Sequence, residues 1–178
     1  MKEANEAESL IRRLKLRPHP EGGYYREIHR SPETVGTSKG TRSALTTIYF
    51  LLLRGQKSVF HRVLSDEVWN HYAGAPLRLI RVAADFRSRE SILLGPIDTK
   101  KPKGRKGGTG PKSPGAKGMP VAVIPRKDWQ AAESLGEFTL VGCSVGPGFD
   151  FADFRMMRDD AIASRKLGEA FPGLRKWI

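Results

Sequence analysis

The 178-residue chain has a single cysteine, Cys143, and no run near the roughly 18 apolar residues that a membrane helix needs. One thiol cannot make an internal disulfide, and without a CxxC pair a zinc–cysteine site is excluded. Cys143 lies in an apolar run and reads as a small buried strand residue. The first thirty residues are too charged for a secretory signal, so a soluble, cytoplasmic protein with no membrane partner is expected. Acidic residues are also scarce: 19 Asp and Glu face 31 Lys and Arg, for a net charge of +12. The imbalance is concentrated in "KKPKGRKGGTGPKSPGAKG", Lys100 to Gly118, with seven Lys or Arg, six Gly, three Pro and no acidic residue. This stretch has no aromatic or large aliphatic anchor, so it lacks the apolar surface that orders a chain. A disordered basic loop is expected over 99–118, either as a tolerated surface insertion or as a weak electrostatic contact to nucleic acid. It also lacks the interleaved aromatics that stack bases, so sequence-specific recognition is not expected.

What is present reads as a single domain, 1–178, made mostly of short strands. "EAESLIRRLKL", Glu6 to Leu16, puts Leu10, Ile11 and Leu14 on one helical stripe ahead of Pro18, which gives an N-terminal helix within 1–17. From residue 18 to 154, "TTIYFLLL", "SVFHRV", "EVWNHYA", "LRLIRVA", "SILLG", "VAVIP", "DWQAA" and "EFTLVGCSV" are strand-like runs parted by Gly, Pro or charged turns. Strands without βαβ alternation predict an all-β antiparallel sandwich or barrel. "GPGFDFADF" alternates Phe149, Phe151 and aspartates, and is expected to be a closing strand with Asp150 at a pocket rim. The basic loop should extend a hairpin between "LLGPID" and "MPVAVIP". Residues 155–178 form a tail with a helix over Asp159–Ala170.

The polar chemistry concentrates in "GQKSVFHRVLSDEVWNHYAGAP", Gly55 to Pro76. A period of two puts Glu67, Trp69 and His71 on one strand face. If this strand pairs with the one before it, His61 and Glu67 converge on one side of the wall. An imidazole and a carboxylate together can hold a divalent cation or form an acid/base pair; the structural alternative for Glu67 is an ion pair with Arg42 or Arg62. A second concentration, "PHPEGGYYRE", offers His19, Glu21, Tyr24, Tyr25 and Arg26, either lining the mouth of a pocket or bending and packing around Gly22 and Gly23.

The spacing Gly55, five residues, His61, one residue, Val63, three residues, Glu67, six residues, Gly74 resembles the first motif of the cupins, with Val63 where the second metal-binding histidine stands. Pro125 matches the proline of the second motif, and Gln130 stands at its histidine position. "LKLRPHPEGGYYREIHRS", "TTIYFLL", "FHRVLSDEVWNHYAGAPL", "VIPRKDWQAA" and "TLVGCSVGPGFDFADF" together resemble a family of small RmlC-like cupins of unassigned reaction. Asn70 with His71, and the long basic loop, depart from its pattern. The resemblance implies a double-stranded β-helix (jelly-roll, cupin) barrel with short N- and C-terminal helices, a small molecule in the barrel, and a homodimer. By analogy with RmlC-like epimerases it implies metal-independent isomerisation or epimerisation of a sugar or sugar nucleotide. In that reading His61, Glu67 and Tyr25 are catalytic, and His19, Glu21, Tyr24, Arg26, Trp69, His71, Gln130 and Asp150 bind substrate. The alternatives are a degenerate metal enzyme holding one divalent ion on His61, Glu67 and Gln130, and a non-catalytic binder of a ligand or nucleic acid.

Overall fold

A computed structural model describes residues 2–97 and 118–178, with side chains from residue 6 onward. The basic loop expected at 99–118 therefore falls, apart from residue 118, outside the described residues. Helix α1 (Lys2–Arg13) lies slightly N-terminal of the expected span. It ends before Pro18 is reached: Lys15 takes a left-handed φ of 53° and the Leu16 N–H closes back on the Ile11 carbonyl at 2.9 Å, the usual geometry of a helix C-terminus.

The strands then run β1 (Arg17–Pro18), β2 (Tyr24–Arg30), β3 (Thr34–Thr37), β4 (Gly40–Ser43), β5 (Thr46–Leu53), β6 (Lys57–Arg62), β7 (Asp66–Gly74), β8 (Leu77–Val82), β9 (Arg89–Leu94), β10 (Val121–Ile124), β11 (Trp129–Ser134), β12 (Phe138–Gly146) and β13 (Arg155–Met156). They form a six-stranded sheet in the order β1-β2-β5-β12-β7-β10 and a five-stranded sheet in the order β13-β6-β11-β8-β9, with β3-β4 as a separate hairpin. The pairings within the two large sheets are antiparallel. Apart from the β1-β2 and β8-β9 pairs and the β3-β4 hairpin, successive strands cross between the sheets, which is the winding of a double-stranded β-helix.

That winding corrects two expectations. Strands β6 and β7 lie in different sheets, so His61 and Glu67 do not sit on paired strands; they face each other across the barrel. Strands β9 and β10 are likewise in different sheets, so they are not the two arms of a hairpin. Among the described residues, a parallel bridge joins Leu94 to Met119.

Both sheets alternate apart from register shifts in the β6-β11, β7-β12 and β2-β5 pairs. Phe50, Leu52, Trp69, Leu77, Leu79, Leu94, Ile124 and Val141 point inward and pack as one cluster. On the outer face of the five-stranded sheet, Phe60, Ile80, Val82, Trp129 and Ala131 are covered by Leu167 of α2 (Ala161–Ala170) and by Leu174 and Trp177 of a terminal 3-10 segment. Asp160 caps α2, accepting from the Ala163 N–H at 2.9 Å. The expected C-terminal helix is present within Asp159–Ala170, and the C-terminal residues form a packed cover on the sheet. The stripe of Leu10, Ile11 and Leu14 packs with Ala7 against Leu51, Phe138 and Leu140 of the six-stranded sheet. Burying such side chains supplies about 1.5–3 kcal/mol each. Among the described residues no helix is long and apolar enough to cross a membrane.

The expected closing strand at 146–154 is absent. Pro147, with no N–H to give, ends β12, and Phe151–Asp153 form a 3-10 turn whose N-cap, Asp150, accepts from the Ala152 N–H at 2.8 Å. Phe149, Phe151 and Phe154 gather with ring centroids 5.0–6.1 Å apart. The β3-β4 hairpin is clasped to this turn by Arg42, which donates to Asp153 through Nε and Nη2 at 2.8 and 3.0 Å in a nearly buried pair. Arg42 therefore serves Asp153, and Arg62 lies over the Trp129 ring; neither pairs with Glu67.

Candidate functional site

A cavity of about 380 Å³ opens at one end of the barrel, lined by Glu21, His61, Glu67 and Cys143 within, and by Arg17, Glu27, Arg30, Asp150 and Phe151 among its outer residues. Three local devices aim the inner groups. At Gly22 (φ 108°) and Gly23 (φ 71°) the chain turns back on itself, and a Cβ at Gly22 would collide with the Lys57 carbonyl oxygen, so the turn requires glycine. The Val59 N–H donates to the Glu21 carbonyl at 3.0 Å, which holds Glu21 against β6. A register shift in the β6-β11 pair sets His61 opposite Gln130 and Ser58 opposite Ala132. This bulge brings Ser58 and His61 to the same inner face, which strict alternation forbids.

Glu21 is the centre of the cluster. Its Oε1 accepts from Ser58 Oγ at 2.8 Å, and its Oε2 lies 3.2 Å from His61 Nε2 and 3.4 Å from His19 Nδ1. The tautomers follow from the partners. His61 Nδ1 is 2.9 Å from the Val59 carbonyl, which can only accept, so Nδ1 carries the proton and Nε2 presents its lone pair to Glu21. His19 Nδ1 accepts from the Glu21 backbone N–H at 3.3 Å. Burial pushes the Glu21 carboxyl up to about 8 and drives His19 down to about 3; it also lowers His61. Burial penalises the charged form of every member, so the contacts are those of a neutral acid between neutral rings, with the Glu21 proton directed at His61 Nε2.

Glu67, likewise raised by burial, accepts from Gln130 Nε2 at 2.6 Å. The Trp69 indole can only donate, and it does so to Gln130 Oε1 at 3.0 Å, which fixes the amide orientation. Both ends of Gln130 are thus engaged behind the cavity wall. The Cys143 thiol borders the cavity beside Glu67, and burial raises it well above the ordinary thiol range. Tyr25 lines the cavity with its ring edge-on to His19 at 4.5 Å.

Of the residues singled out in the sequence, His19, Glu21, Tyr25, His61, Glu67 and Asp150 share the cavity. Trp69 and Gln130 are buried behind it. His71 shares the face of Trp69, as alternation requires, but lies outside the cavity with Nε2 3.2 Å from the Ala75 carbonyl oxygen. Tyr24 packs with α1 on the outer face, and Arg26 donates to the Leu14 carbonyl at 3.1 Å. The sequence reading left out Arg17, Ser58 and the cavity-facing role of Cys143. Cys143 reaches the cavity through its place opposite Trp69 in the β12-β7 register, a pairing that the sequence does not reveal.

The donors do not fit the metal centre that the fold family brings to mind. Among the described residues no three His, Cys, Asp or Glu side chains converge closely enough to hold an ion. His61 Nδ1 is held by a backbone carbonyl, and a Gln130 ligand would forfeit two buried hydrogen bonds.

The chain is similar over its whole length to two solved structures: a hypothetical protein from Leishmania major, 30% identical over 97% of this chain and 96% of that one with a TM-score of 0.74, and a protein from Shewanella oneidensis, 29% identical over 96% and 92% with a TM-score of 0.74. Oxalate decarboxylase from Bacillus subtilis, 13% identical over 87% of this chain and 34% of that one with a TM-score of 0.54, shares the fold alone. No curated protein matches the chain. A family model does, across residues 8–157, which span every cavity-lining residue: the chain belongs to the family described as Cupin superfamily (DUF985).

Proposed function

We propose that the cavity binds a small organic molecule and moves protons on it without a metal, as an isomerase or epimerase acting at a carbon next to a carbonyl, with a sugar or sugar nucleotide as the substrate class. The observation that carries this is the buried Glu21 carboxyl, 3.2 Å from Nε2 of His61, inside a cavity that also holds a phenol; burial, which raises Glu21, favours its protonated form. A carbonyl oxygen entering between them takes the Glu21 proton, and His61 Nε2 is released to accept the proton from the adjacent carbon. The C–H electron pair forms the enol double bond as the carbonyl becomes a hydroxyl. Tyr25 then supplies a proton to the opposite face of that carbon, and the enol proton returns to Glu21. The Tyr25 phenolate regains its proton from solvent while His61 loses one. Glu67, held by Gln130, orients the substrate. Positioned acid and base groups of this kind contribute about 10²- to 10⁴-fold.

Solvent-deuterium exchange tests the reading. Carbonyl sugars incubated with the protein in D₂O are expected to gain deuterium next to the carbonyl, and His61→Gln or Glu21→Gln should slow this roughly 100-fold or more. Sugars that bind without exchanging would make the protein a binder only. The homodimer belongs to the same reading, supported by half-exposed Tyr72, Val121 and Val123. Light scattering of Val123→Glu, with a monomer expected, tests it.

A further inference from the structure

The outer cavity carries four charged side chains, and three of them are engaged. Arg30 grips Glu27 through Nε and Nη2 at 3.0 and 2.7 Å and donates to the Phe149 carbonyl at 3.2 Å. Asp150 caps the 3-10 turn. The fourth, Arg17, has no ion-pair partner among the described residues. Its guanidinium lies 5.0 Å over the centroid of the Tyr25 ring, its register partner across β1 and β2. That stacking fixes the side chain and leaves the guanidinium without a carboxylate acceptor. Tyr25 in turn meets His19, and His19 meets Glu21, so Arg17 stands three contacts from the proton-transfer pair. Its charge reaches His19, where it disfavours protonation.

The interior offers the opposite environment. Ile48, Phe50, Val63, Val145 and Phe154 form apolar walls around the buried groups, and an ionised group placed there would have no counter-charge.

We infer that Arg17 is a specificity-determining residue that holds an anionic group, carboxylate or phosphate, of a ligand whose uncharged body enters the cavity. The inference rests on the reading of the cavity as a small-molecule site and adds the charge class of what it takes. A guanidinium presents two parallel N–H donors to either anion. The neutral remainder of the ligand lies along Tyr25 and His19, with its carbonyl end toward Glu21 and His61.

Inorganic phosphate and acetate are the minimal anions, titrated at constant ionic strength while the His19 and Tyr25 ring resonances are followed by ¹H–¹³C NMR. Saturable shifts are expected with at least one of them. Saturation by phosphate alone identifies a phosphorylated ligand, by acetate alone a carboxylate, and by both an anion site indifferent to the two. Arg17→Gln should weaken the response at least about tenfold, and Arg17→Lys, which keeps the charge but loses the fork, should be intermediate. Arg17 is exposed, so these variants should keep the wild-type amide spectrum. His61→Gln should respond like the wild type, which separates the anion site from proton transfer: a failed deuterium exchange would leave this result standing. No saturable shift in the wild type, or equal shifts in Arg17→Gln, would overturn the assignment.

Discussion

The interior of this barrel has two halves with different fates, although the same strands build both. Along β5, Leu52 belongs to the packed half, Thr46 and Ile48 face the cavity, and Phe50 stands at the boundary, touching both; along β7, Trp69 is packed and Glu67, two residues earlier, is in the cavity. What differs is the opposite wall. The packed half is closed by Leu77 and Leu79 of β8 and Leu94 of β9, whose branched side chains meet those of the six-stranded sheet. The other half is faced by β6 and bordered by β1-β2 of the six-stranded sheet and by the 149–154 turn, whose side chains leave about 380 Å³ unfilled. Gln130 joins the halves, one end on Trp69 and the other on Glu67. A hollow site thus needs a full neighbour: the packed half holds the strands in place, and the titratable groups can be carried at a cost the other half offsets.

The most severe way to break this division is Trp69→Ala. It empties the packed half and orphans the Gln130 carbonyl, so a loss of about 3–5 kcal/mol in chemical unfolding is expected, with Glu67 loosened as well. A cost below 1 kcal/mol would show that the packed half does not support the site.

Next in size is the pH dependence of the hollow half. Between its ordinary 4.5 and about 8, folded Glu21 keeps a proton that the unfolded chain has released, so its contribution makes stability fall as pH rises across that window. His19 works in reverse. Between about 3 and 6.5 the unfolded ring takes a proton that the folded ring refuses, so stability rises with pH there. The two oppose each other from 4.5 to 6.5, leaving a fall from 6.5 to 8 and another below 4.5. Thermal unfolding of Glu21→Gln should show a shallower alkaline fall, with the share of the likewise raised Glu67 remaining, and should keep the acidic one; a wild-type curve parallel to that of the variant from pH 6 to 9 would contradict the buried acid.

Smaller still is His71→Ala. It removes one hydrogen bond outside the cavity, for about 1 kcal/mol or less and no change in deuterium exchange. The smallest effect expected is that of a chelator, which should change neither stability nor exchange, with elemental analysis finding well under one divalent metal per chain. A full equivalent, lost in Glu67→Ala, would require the donors to rearrange.

The strands were legible because β-branched and aromatic runs are punctuated by Gly and Pro, which is local information. The face shared by Glu67 and Trp69 was legible from alternation. What local pattern does not carry is the pairing of distant segments. Glu21 looked like a residue of the mouth, because its place beside Ser58 and His61 depends on a glycine turn against Lys57 and on a bulge opposite Gln130. The phenylalanines of 149–154 imitate strand alternation, but Asp150 captures a backbone N–H two residues on and turns the chain into a 3-10 helix instead. Cys143 looked inert for lack of a partner thiol, yet its neighbour is a carboxyl from another strand.

The clasp between Arg42 and Asp153 joins residues 111 positions apart, and β5 lies between β2 and β12 in its sheet. During synthesis His19 and Glu21 therefore leave the ribosome long before their surroundings exist. Until β12 has emerged, β5 presents an unpaired edge, and until Asp153 has emerged its clasp on Arg42 of the β3-β4 hairpin cannot form. Nascent chains halted before residue 138 should consequently be sensitive to proteolysis and prone to edge pairing, and capacity for ligand should appear only once the last quarter of the chain has been made.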